Sequence, residues 1–276
     1  MNRQSAGNQI KETYERLSSV INTAKELNLP YEDVYSVVRK LPGYRSIKKR
    51  KVTSSYDKCF FEQIDSSIKA YFVGLIKADG YIDKNRLRIA IRLQEKDVEL
   101  LEKFCDAIGF PHSRINKIPP RREGQSTHVE VAVTNRQLVE PLLDVKTQKI
   151  FEQIPPEFAW DFIRGYFDGD GTIAYRNLRR LYFSLAIVGS PSDPHMLEYI
   201  MDRIDGFTKI YIDKRSNLPY LKTDNALLIE TFRKKLYDNS FLFLQRKRNK
   251  FDQFKLLFDT STTKRKTSAT TDEDIV

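Results

Sequence analysis

The stretches "GLIKADGYI" (74–82) and "GYFDGDGTI" (165–173) stand 91 residues apart. Gly74 matches Gly165, Asp79 matches Asp170, Gly80 matches Gly171 and Ile82 matches Ile173. Self-similarity at one fixed spacing means that a single supersecondary unit has been used twice. The flanking residues show how long the unit is. "SSIKAYFVGLIKADG" (66–80) reads as an apolar helix ending at Asp79-Gly80, and "YIDKNRLRIAIRL" (81–93) as a hairpin turning at Asp83–Asn85. "EKDVELLEKFCDAIG" (95–109) is an amphipathic helix that Gly109 stops. Strands over 113–118 and 128–134 and a short helix over 136–143 complete the first pass. The second runs in the same order: a helix from Pro156 to Asp170-Gly171, a hairpin over 172–188, a helix over 194–204, strands "KIYIDKR" and "PYLKTD", and a helix over 225–237. A last helix starts at Gln245. The body is thus predicted to be α+β, a duplicated αββαββα unit.

Each repeated helix carries small residues four apart, Gly74 with Ala78 and Gly165 with Gly169. Glycine inside a helix costs about 1 kcal/mol relative to alanine, and close backbone contact with another helix is the usual compensation. If the two helices pack through these faces, Asp79 and Asp170 become neighbours at their C-terminal ends. Those ends already carry partial negative charge. Two carboxylates about 4 Å apart repel by roughly 4 kcal/mol at an effective dielectric of 20. A bound divalent cation turns that repulsion into attraction, and carboxylate oxygens in a basic protein favour Mg²⁺. A calcium loop is excluded by spacing. With Gly171 at the sixth loop position, Tyr166 and Asn177 take the first and twelfth; with Gly80 there, Lys77 and Arg86 take the third and twelfth.

The formal net charge of +10 points to a polyanionic partner, with nucleic acid first. Arg and Lys interleave with aromatic and β-branched residues along the strands at 81–93 and 172–188, which suits a sheet laid on DNA. Cys59 and Cys105 lack metal spacing and are expected to be buried, in a reducing compartment. No apolar run approaches a membrane span, and residues 1–20 are polar, so a soluble intracellular chain without a membrane partner is expected.

Residues 1–56 are a separate basic region, with eleven Lys and Arg against five Asp and Glu. "SSVINTAKELNLPYEDVYSVVRKL" (18–41) has one helix from Val20 to Leu27, a break at Asn28-Leu29-Pro30, and a second helix from Tyr31. Ala24 allows close approach, while Leu29 and Val34 are expected to plug the corner. The pattern resembles a helix-turn-helix, with Tyr35 and Arg39 on the groove-facing helix and Lys48, Lys49 and Arg50 in a linker along the phosphates. The expected domains are 1–56, two halves at 57–155 and 156–259, and a disordered tail at 260–276.

The motif copies "FVGLIKADG" (72–80) and "IRGYFDGDG" (163–171) resemble the LAGLIDADG motif, and residues 65–258 resemble a single-chain LAGLIDADG homing endonuclease. The resemblance implies a pseudo-twofold monomer whose paired helices join two halves, with an antiparallel β saddle in the DNA major groove. It implies that Asp79 and Asp170, with the carbonyls of Ala78 and Gly169, hold divalent metal, and that both strands are cut to leave 3′ overhangs. Basic residues near the cleavage site correspond to Lys146 in the first half; the matching place in the second is Gln245, with Arg246 and Lys247 next to it. Gln94 is a candidate for positioning water. Lys77 departs from the motif, which has an acid there, but lies about 200° around the helix from Asp79. Base readout falls to Arg86, Arg88, Arg92, Arg179, Tyr182, Tyr211, Lys214, Arg215 and Lys222. The expected activity is metal-dependent, site-specific cleavage of double-stranded DNA. The rivals are an intron RNA maturase and a non-catalytic regulator on the same scaffold; retention of both acids weighs against the regulator.

Overall fold

The computed structural model describes residues 3–17, 20–38, 40–41, 56–120, 122–177, 182–191, 193 and 195–271. The chain divides into two compact units, Met1–Thr53 and Ser54–Val276.

The first unit holds α1 (Arg3–Leu17), α2 (Val20–Leu27) and α3 (Tyr31–Val38), all in mutual contact. Its core is Ile10, Ala24, Val34 and Val38, with Tyr14, Leu27, Val37 and Leu41 packed against it. Asn28 takes φ 51°, the left-handed turn residue that ends α2, and the Leu29 N–H returns to Ala24 O at 3.0 Å. That bond satisfies a helix-end carbonyl in the manner of a Schellman cap. The same turn swings Leu29 outward, to 37% exposure, so it does not plug the corner as expected; Val34 alone does. Helix α1 is absent from the sequence reading, because its inward stripe is narrow and partly polar: Ile10, Thr13 and Tyr14.

The second unit repeats one element order. It begins with α4 (Ser67–Asp79), β1 (Gly80–Asp83), β2 (Arg88–Gln94), α5 (Val98–Ile108), β3 (Asn116–Ile118), β4 (His128–Thr134) and α6 (Arg136–Val139). The order returns in α7 (Ala159–Asp170), β5 (Gly171–Asn177), β6 (Tyr182–Val188), α8 (His195–Met201), β7 (Tyr211–Ile212), β8 (Pro219–Thr223) and α9 (Ala226–Tyr237). The two antiparallel sheets share one topology, β1-β2-β4-β3 and β5-β6-β8-β7. This is the expected α+β class, with the duplicated αββαββα order. Gly109 takes φ 68° and closes α5, as a left-handed C-cap requires.

Strand periodicity sets which face is which. Ile89, Ile91 and Leu93 of β2 and Val129, Val131 and Val133 of β4 are buried, so Arg88, Ala90, Arg92 and Glu130 share the opposite face. In the second sheet Leu185, Ile187 and Leu221 face the core, which puts Tyr220 and Lys222 on the other side.

Helices α4 and α7 join the two repeats and pack more extensively than any other pair of elements. Their small residues permit this. A Cβ added at Gly74 would stand 2.0 Å from Phe162 O, and one at Gly165 would stand 1.9 Å from Tyr71 O. Phe162 and Tyr71 are themselves 91 residues apart, so the contact obeys the repeat.

Two further expectations differ from the structure. Cys105 is buried, but Cys59 is exposed in the loop that precedes α4. Helix α10 (Gln245–Thr271) extends into the segment expected to be disordered, over residues 260–271; residues 272–276 lie outside the described residues. No Gly or Pro stands between Phe258 and Thr271 to stop it.

Candidate active site

The site is assembled where α4 and α7 end together. A Cβ at Gly169 would lie 2.3 Å from the Ala78 Cβ and 3.2 Å from Asp79 Oδ2, so the two final turns touch. Asp79 is exposed and Asp170 half-buried. Desolvation pushes the Asp170 carboxyl up to about 6; the Asp79 charge adds to this, while Lys146 and Lys247 oppose it. Asp79 is also raised, first by desolvation, against the pull of Lys247 and Lys146. Two acids share one small volume and are balanced by two lysines.

Each lysine serves one helix end. Lys146 Nζ donates to the carbonyls of Lys77 and Ala78, the latter at 3.1 Å. Lys247 Nζ donates to Phe167 O at 2.6 Å and Gly169 O at 3.1 Å. A cation on the last carbonyls offsets the negative end of the helix dipole. The two lysines are not equivalent. Lys146 lies at the open rim, whereas Lys247 is 4% exposed and desolvation lowers its pKa to about 8. Lys247 therefore stands where the sequence reading put Gln245. Gln245 is exposed and donates to Asn249 Oδ1 at 2.7 Å along its own helix. The reason is phase: residue 245 starts α10 on its outer side, and two residues later the helix has turned about 200°.

The residue two before each acid is buried rather than turned to the site. Lys77 is 5% exposed; its Nζ donates to Val145 O at 3.1 Å and Thr147 O at 3.3 Å, and pairs with Asp193. Its repeat mate Asp168 is 1% exposed and accepts from Tyr71 Oη at 2.7 Å, Tyr237 Oη at 2.9 Å and the Leu244 N–H at 2.7 Å. One repeat thus grips the lysine-bearing segment through its carbonyls and the other through an N–H.

Two concavities open beside the acids. One, about 460 Å³, is lined by Asp79, Tyr81, Arg88, Ala90, Arg92 and Glu130. The other, about 410 Å³, includes Ala78, Lys146, Tyr166, Asp170, Ser190 and Asp193. Gln94 ends β2 opposite His128, on the face of Arg88 and Arg92, but lines neither.

The outward sheet faces carry much of the expected basic and aromatic set. Arg88 and Arg92 both bond Glu130, at 3.1 and 2.7 Å. Arg86 is exposed in the β1–β2 turn beside Asp83. Tyr211 stacks on Tyr220 with centroids 5.5 Å apart, and Lys222 is exposed near Asp224. Lys214 and Arg215 project from the β7–β8 turn, which Asp213 organises by accepting from the Arg215 and Ser216 N–H groups at 3.0 and 2.8 Å. Tyr35 is half-buried on α3. Arg39, Lys48, Lys49, Arg50 and Arg179, and the side chain of Tyr182, lie outside the described residues. The sequence reading missed Glu130, Asp97, Asp168 and Asp193. Of these only Asp168 had a signal, its register with Lys77 in the repeat.

Among the described residues no three His, Cys, Asp or Glu side chains cluster as a metal site, and no helix is long and apolar enough to cross a membrane. No family model matches the chain, and no curated protein sequence matches it. Among solved structures it is similar to the LAGLIDADG homing endonuclease I-LtrWI bound to target DNA, at 13% identity and a TM-score of 0.49 over 72% of this chain and 91% of that one. It is also similar to the LAGLIDADG homing endonuclease I-SmaMI bound to cleaved DNA, at 14% identity and a TM-score of 0.47 over 71% of this chain and 90% of that one.

Proposed function

We propose that the chain is a monomeric, divalent-metal-dependent endonuclease that cuts both strands of a specific DNA site and leaves 3′ overhangs, as its resemblance to LAGLIDADG homing endonucleases implies. The observation that carries this reading is the meeting of Asp79 and Asp170 at paired helix ends, each with a lysine on its last carbonyls. A non-catalytic regulator on this scaffold would have no use for two neighbouring acids, one of them raised to about 6 by desolvation and then by the charge of the other.

The donor set fits Mg²⁺: two carboxylates are hard oxygens, and the carbonyls of Ala78 and Gly169, which accept from Lys146 and Lys247, each keep a second lone pair; these are too few for a closed cage and leave positions for phosphate oxygens and water. When bound, the metal supplies Lewis acidity and an activated water at neutral pH. The chain's own residues do the rest. Asp79 and Asp170 would hold the cation, one acid from each repeat, so that one chain could address both strands. Lys146 and Lys247 put positive charge beside the two acids, where a scissile phosphate gains charge in the transition state. Arg88, Arg92, Tyr211 and Lys222 lie on the sheet faces suited to the major groove, and Lys214 and Arg215 on an adjoining turn.

The test is incubation of the purified chain with a library of random duplexes and Mg²⁺, followed by sequencing of the ends. Recovery of one motif with staggered 3′ ends supports the reading. Tight binding to duplex DNA without cleavage in Mg²⁺ or Mn²⁺ overturns it in favour of a binding protein.

A further inference from the structure

The two lysines are each steadied from the opposite repeat. Asp193 follows β6, in the connection to α8, and pairs with Lys77 on α4 of the first repeat. Asp97 follows β2, in the connection to α5, and accepts from Arg246 Nε of α10 at 3.0 Å. The two acids occupy the same place in the two repeats, the turn from the second strand into the helix. Each reaches the other repeat's lysine segment. Lys77 holds the carbonyls on either side of Lys146, and Arg246 is the residue before Lys247.

These contacts are built, not incidental. Asp193 and Lys77 are both at least 94% buried, and the Lys77 ammonium also lies 5.0 Å from the Phe151 ring centroid. Asp97 is 7% exposed and the Arg246 side chain 38%, so the second pair is buried on its acid side and the Lys77–Asp193 pair on both. Asp193 Oδ1 is buried without a hydrogen-bond partner, so loss of Lys77 would leave that carboxylate stranded. Buried pairs are costly to desolvate and are often replaceable by apolar residues without loss of stability. Their presence here calls for something other than stability.

We propose that the Lys77–Asp193 and Arg246–Asp97 pairs are positioning struts, each fixing one helix-end lysine from the opposite repeat, so that each strut governs one of the two cleavage events. Lys77 is then not a degraded acid of the motif but the inner end of a strut. Only the catalytic consequence rests on the endonuclease reading; the placement of the lysines does not.

The experiment reads both levels in the full chain. The variants are Lys77→Met with Asp193→Leu, which removes one strut as a pair, and Asp97→Asn, which releases the other. Lysine acetylation by a water-soluble reagent, followed by peptide mass spectrometry, reports the freedom of each amine. Local opening of one segment should speed labelling of Lys146 by about fivefold or more in the paired variant and leave Lys247 within about twofold, with the reverse in Asp97→Asn. Unchanged Lys146 labelling, or equal acceleration of both lysines, overturns the proposal. On end-labelled target, each variant should slow one strand and accumulate a nicked intermediate, a different strand for each. Equal slowing of both strands overturns the division of labour. Variants that label as stated, in a chain whose wild type cuts no DNA, defeat the endonuclease reading and leave the struts standing.

Discussion

Gly74 and Gly165 face the opposite helix so closely that a methyl group on either would meet a backbone carbonyl, Phe162 O at 2.0 Å or Tyr71 O at 1.9 Å. Neither obstacle is a flexible side-chain end. The helices α4 and α7 can touch at their acidic ends only because they touch here first. The placement of Asp79 beside Asp170 is therefore set nearer the middle of the helices.

Gly74→Ala and Gly165→Ala should each destabilise the second unit by about 3 kcal/mol or more, at or above the upper end of overpacking costs, because backbone must move. Gly7→Ala is the contrast. Gly7 lies inside α1 with nothing within 4 Å of an added Cβ, so alanine should stabilise the first unit by up to about 1 kcal/mol. Urea unfolding of the three variants, followed by circular dichroism, checks the signs. An alanine at 74 or 165 without cost would mean the helices do not meet as described.

Asp79→Asn and Asp170→Asn should each abolish or cripple double-strand cleavage while leaving DNA affinity within about twofold, since asparagine keeps the shape and loses the metal-binding charge. Supercoiled target with Mg²⁺ reads the cleavage, and a gel shift in Ca²⁺ reads the binding. Removal of the repulsion between the acids should also raise the melting temperature of either variant in the absence of divalent metal. Wild-type cutting rates in both variants would remove the acids from the mechanism.

Glu130 should act as a brake on non-specific binding. It neutralises Arg88 and Arg92 on the face suited to DNA. Glu130→Gln frees both guanidiniums, so affinity for random duplex should rise and the log–log salt slope steepen by about 1–2 units. Discrimination at the bases they read should fall. Fluorescence anisotropy across a salt series measures the slope. A flatter slope than wild type would show that the two arginines do not reach phosphates when released.

The body of the fold was legible because two independent periodicities agreed. The helical spacing of Gly74 with Ala78 and Gly165 with Gly169 foretold the interface, and the alternation in "RIAIRLQ" (88–94) foretold the buried side of β2. Register within a repeat carried over wherever the connections had equal length, as from Asp79 to Asp170. It failed at the lysines: Lys146 and Lys247 are 101 residues apart, not 91, because the second repeat carries a longer path into α10. The repeat points to Gln245, whereas the phase of α10 turns Lys247 inward instead. The struts were illegible for a different reason. Asp97 and Asp193 look like ordinary helix-starting acids, and only the tertiary arrangement puts a cation from the other repeat against each. Leu29 and Cys59 were misread because hydrophobic character does not by itself secure burial at a turn or in a loop.

The last prediction concerns the first unit. It contains no residue of the paired helix ends or of either sheet, so it should contribute affinity without choosing the cut. Deleting residues 1–53 should weaken binding and shorten the footprint on one side of the site, with the cleavage positions unmoved. Lys48, Lys49, Arg50 and Lys51 fall at the end of this unit. If they neutralise about four phosphates, the salt slope should flatten by about 3–4 units. Thermal unfolding of the truncated chain must first show one cooperative transition, since loss of folding would mimic loss of binding. Given that transition, an unchanged footprint and salt slope would mean that the three helices serve some other purpose than holding DNA.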